Sequence, residues 1–127
     1  MMTQETRLVA AYFTKSAGAE RKTRHLAEEA VRRGAPVAEL AADLRGYAER
    51  LAKVELAQGT PEPDSLADRL LRAGRMRMSD SARRTPKAER LVDTALGHVD
   101  WTYLAEAQLA IVRPAIEASL RTLRSAS

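Results

Sequence analysis

The chain has 127 residues, a formal net charge of +4, 45% apolar and 30% charged side chains, only 4% aromatics and no cysteine. This balance excludes wholesale disorder, a disulfide framework and thiolate metal sites, and the length suits one domain with a real core. No apolar run approaches the ~20 residues that span a bilayer, and the amino terminus lacks a basic-then-apolar leader pattern, so a cytoplasmic chain with no membrane partner is expected.

Alanine, leucine, arginine and glutamate dominate, so helices are expected throughout. The first runs from Thr3 to about Ala17, where Leu8 pairs with Tyr12 and Val9 with Phe13 at i,i+4, and Gly18 should end it. A short buried strand over Leu8 to Phe13 is the alternative, because six apolar residues in a row are ambiguous. The second helix spans Ala19 to Arg33, with Leu26, Ala30 and Val31 inward and Glu28–Arg32 and Glu29–Arg33 paired on the outside. Gly34 fits its C-cap and Pro36 restarts the chain.

The third helix carries Val37, Leu40, Leu44, Tyr47, Leu51 and Val54 at alternating spacings of three and four, the seam of a bundle or coiled coil. Gly46 inside it suggests close packing against a neighbour. The stretch from Gln58 to Asp64 holds two prolines and a glycine and breaks the helix. Ser65 to Asp68 then resembles a capping box opening a fourth helix through Leu66, Leu70 and Leu71. Thr85-Pro86 reads as the N-cap and first turn of a fifth, with Leu91, Val92, Ala95, Leu96 and Val99. Asp100 can cap the last, which places Ala105, Leu109, Val112, Ile116, Leu120 and Leu123 on one stripe and should kink at Pro114.

Catalytic patterns are absent from this reading. The two histidines, His25 and His98, lie far apart, and His98-x-Asp100 supplies two ligands where zinc needs three or four. The glycines are scattered, so nothing cradles phosphate. Glu28-Glu29 lies on a solvated face, without the shaped pocket that acid–base chemistry needs. No cofactor and no metal are expected, and the chain does not read as an enzyme.

Charge is distributed unevenly. Arg69, Arg72, Arg75, Arg77, Arg83, Arg84, Lys87 and Arg90 stand against Asp80 and Glu89, a net of +6, while the remainder nets −2. Clustered arginines suit phosphate, so nucleic acid is one partner class, although no interleaved aromatic offers base stacking. The other readings are a solvated face or an arginine surface meeting a partner's carboxylates. A helix-turn-helix over Leu26 to Tyr47 is opposed by Asp43 at an apolar position and by Pro36 in the turn. A ribbon-helix-helix is opposed by the lack of alternation in Leu8 to Phe13. Thr85 could take a phosphate at a helix N-terminus, but ordinary capping is the better reading.

From Arg7 to about Arg84 the chain resembles the small helical domain shared by RsbU-type stress-response phosphatases and the circadian protein KaiA. The likeness rests on Leu8-Val9-Ala10-Ala11-Tyr12-Phe13, Leu26-Ala27-Glu28-Glu29-Ala30-Val31, Ala35-Pro36-Val37-Ala38-Glu39-Leu40 and the run from Leu70 to Met78. Leu44 stands in the region where many members carry a histidine, and no phosphatase domain follows. The resemblance implies a four-helix dimerising domain that binds a regulatory partner, and it transfers no catalytic residue.

The expectation is an all-α antiparallel helical bundle of five or six helices, a single domain with a core bundle over 1–84 and a helical extension over 85–127. The leading function is regulatory protein–protein interaction as a homodimer, with Leu44, Tyr47, Leu51, Leu109, Val112, Ile116 and Leu120 as candidate interface. Nucleic-acid binding through 69–90 and a structural role in a larger assembly are the alternatives.

Overall fold

A computed structural model describes residues 2–57, 65–73 and 86–126, and over these it is 89% helical. Helix α1 is Gln4–Lys15, α2 Ala17–Arg32, α3 Val37–Ala57, α4 Leu66–Ala73, α5 Pro86–Gly97 and α6 Trp101–Ala126. The fold is an all-α helical bundle, with no strand among the described residues, and Leu8 to Phe13 is helical.

The breaks follow from capping chemistry. Ser16 closes α1, its N–H donating to the Tyr12 carbonyl, and opens α2, its hydroxyl accepting from the Ala19 N–H. The boundary therefore falls at Ser16 rather than at Gly18, which sits in the first turn of α2, where its N–H has no intrahelical acceptor to lose. At the other end of α2, Gly34 has φ +64°. Its N–H donates to Val31 at 3.1 Å and the Ala35 N–H to Ala30 at 2.8 Å, a Schellman closure. Arg33 does not pair with Glu29; it reaches across the turn to Glu39 and to Asp43, so the turn into α3 is tied by charge as well. Arg32 pairs with Glu28 at 3.6 Å and Glu29 at 3.2 Å.

Helix α3 lies at the centre and packs against α2, α4, α5 and α6. Its buried face is Leu40, Ala41, Leu44, Ala48, Ala52 and Leu56. Tyr47 and Leu51 flank that face half-buried, and Val54 is exposed. The seam expected from large apolar residues is thus rotated toward the alanines, which bring the neighbouring backbones close. Gly46 does not serve such an approach: a Cβ there would meet only the guanidinium of Arg50 on the same helix.

Ser65 caps α4 by accepting from the Asp68 N–H at 3.2 Å, while the Glu55 carboxylate of α3 accepts from the Ala67 N–H at 2.9 Å. Two of the helix's orphan donors are thereby satisfied. Leu66, Ala67, Leu70 and Leu71 are all buried. Pro86 is the first residue of α5, as expected, and Gly97 the last; the Thr85 cap lies outside the described residues.

Asp100 caps α6, its carboxylate accepting from the Tyr103 N–H at 3.0 Å. The same corner is latched to α1. Thr3 donates its hydroxyl to the His98 carbonyl at 2.9 Å, so the 2.7 Å contact between the two threonine hydroxyls uses the proton of Thr6. The Thr6 oxygen in turn accepts from the Asp100 N–H at 2.9 Å, and Thr6 is fully buried. Trp101 adds an indole N–H to the Leu96 carbonyl at 3.0 Å. Ala88, Val92, Leu96, Leu104 and Leu109 join Val9, Leu40 and Leu70 in one core, so α5 and the first part of α6 are built into the bundle.

Candidate functional site

Helix α6 packs most extensively against α2 and then α3. Arg24 of α2 lies beside Ile111 and Ala115, and Arg32 beside Ser119 and Leu123, so the two helices run in the same direction. Trp101, Leu104, Ala105, Leu109, Val112 and Ile116 face inward and are buried. The helix continues through Pro114 to Ala126, while α2 stops at Arg32. Beyond Ile116 every described side chain, 117 to 124, is exposed. The stripe becomes exposed there as Leu120, 41% exposed, and Leu123, 67% exposed, with Ile111 at 58% on the flank, while the end of α2 at Arg32 still lies level with Ser119 to Leu123.

Between α2 and α6 runs a shallow groove. One part is bounded by Arg24, Glu28, Ile111, Val112, Ala115 and Ile116. The next shares Glu28, Ala115 and Ile116 with it and extends to Arg32, Ser119, Leu120 and Leu123. The groove is apolar along its floor and carries charge on its α2 rim. On the far side of Leu120, Glu117, Arg121 and Arg124 form the opposite edge.

The candidate interface residues divide accordingly. Leu44 is fully buried, and Leu109, Val112 and Ile116 are nearly so. Tyr47 and Leu51 are half-buried. Leu120 alone of the seven is exposed. Ile111 escaped the sequence reading because it falls off the 3-4 stripe, between Ala110 and Val112.

The basic segment is described in part. Arg69 lies over the Tyr12 ring at 5.9 Å, a cation–π placement. Arg72 reaches the carboxylate of the fully buried Asp68 at 3.0 Å. Arg90 is exposed on α5, and Lys87 belongs to its first turn. Arg75, Arg77, Arg83 and Arg84 lie outside the described residues.

Around Arg69 the aromatics gather: Tyr12 and Phe13 at 6.4 Å between ring centres, Phe13 and Tyr47 at 6.1 Å. Partial burial pushes the Tyr47 phenol above its usual value, aided by Tyr12 and the Glu55 carboxylate. A second depression, between α3 and α5, is lined by Glu49, Lys53, Leu56, Glu89, Val92 and Asp93. Among the described residues no three histidines or carboxylates gather as a metal site. Of the pair His98-x-Asp100, the carboxylate is engaged as the α6 cap. No helix among them is long and apolar enough to cross a membrane.

Compared with family models, with characterised proteins and with solved structures, the chain finds no match.

Proposed function

We propose that the chain is a non-catalytic, regulatory protein–protein interaction module that acts as a homodimer and docks through the uncovered part of α6. The carrying observation is the apolar stripe that stays helical past Ile116 with Leu120 and Leu123 exposed. Scattered exposed leucines need no explanation, but apolar residues continuous with a groove mark interaction surfaces. Helical turns that bury little gain little of the packing that stabilises most protein helices, and a partner would supply the rest. The resemblance to a dimerising helical domain points the same way.

Nucleic-acid binding receives less support, since Arg69 and Arg72 are engaged within the chain by Tyr12 and Asp68. Light scattering after gel filtration tests the dimer. The expected mass is twice 14.0 kDa, falling to the single-chain value when Leu120 and Leu123 are both changed to glutamate. An unaltered chain that stays at 14.0 kDa over a wide concentration series rejects it.

A further inference from the structure

We draw no further inference here: the strongest candidate, the shallow apolar groove between α2 and α6 that ends at the exposed Leu120 and Leu123, belongs to the surface already described, and nothing in the structure shows what covers it.

Discussion

Helices α3 and α6 are the two longest of the described helices, and both carry an apolar stripe at spacings of three and four. They use it differently. In α3 the stripe is bordered by Ala41, Ala48 and Ala52, and neighbouring helices close over it until Leu40 and Leu44 are fully buried. In α6 the stripe is buried as far as Ile116 and exposed at Leu120 and Leu123, where only the last turn of α2 runs alongside. A heptad-like pattern thus marks an apolar stripe, but the packing of the neighbouring elements decides how much of it is buried.

The sharpest way to break this contrast is to truncate one leucine in each helix. Leu44→Ala should cost about 2–5 kcal/mol, transfer loss plus a cavity, seen as a lower urea midpoint. Leu120→Ala should change the stability of the single chain by less than about 0.5 kcal/mol. Equal losses would mean that the α6 tail is covered within its own chain.

Adding volume sharpens the same point. Ala52 is fully buried between α3 and its neighbours, so Ala52→Leu should cost about 1–3 kcal/mol through overpacking. Ala118→Leu, on the exposed tail, should leave the unfolding midpoint where it was. The fixed end of α6 should also behave like α3 rather than like the tail. Thr6→Val strips the Asp100 N–H of its buried acceptor, at about 1–3 kcal/mol for a donor left unsatisfied. Hydrogen exchange at Asp100 should quicken in the same variant.

Much of this was legible from residues with one physical use. Gly34, Ser65, Pro86 and Asp100 mark helix ends because each solves a backbone problem that few residues solve. The inward half of α6 was legible through Leu109, Val112 and Ile116. Ser16 was masked by Gly18, since glycine signals a stop whether or not the chain stops there. The rotation of α3 was missed because alanine adds little to an apolar pattern, yet decides how near a neighbour can come. The Thr3–Thr6–His98–Asp100 latch joins residues more than ninety positions apart, and nothing local announces it. In the candidate site, Leu120 and its stripe were visible; how far the neighbouring helices cover it was a matter of packing.

Tyr47 gives a smaller test on the α3 side. Its phenol is raised by burial, and by Tyr12 and Glu55. A folded-state pKa above the unfolded one means that its contribution is fully present below the ordinary tyrosine value, about 10, and is lost as pH rises through the raised value. Unfolding midpoints followed above that pH should therefore fall more steeply for the unaltered chain than for Tyr47→Phe. Coincident slopes would mean that Tyr47 titrates as it does in the unfolded chain.

The least effect is expected at Leu123. It is 67% exposed near the end of α6, so Leu123→Ser removes little apolar burial from the single molecule. Serine is the weaker helix former, by a few tenths of a kcal/mol, and the helix end frays most readily. The unfolding midpoint measured at concentrations too low for association should move by no more than about 0.5 kcal/mol. At high concentration the unaltered chain should gain stability by mass action, as any assembly of the folded form does, and Leu123→Ser should not share that gain. The two midpoints should thus diverge with concentration, from near identity when dilute. A gap that is constant over the series would place Leu123 in contact with its own chain and make the tail an extension of the core.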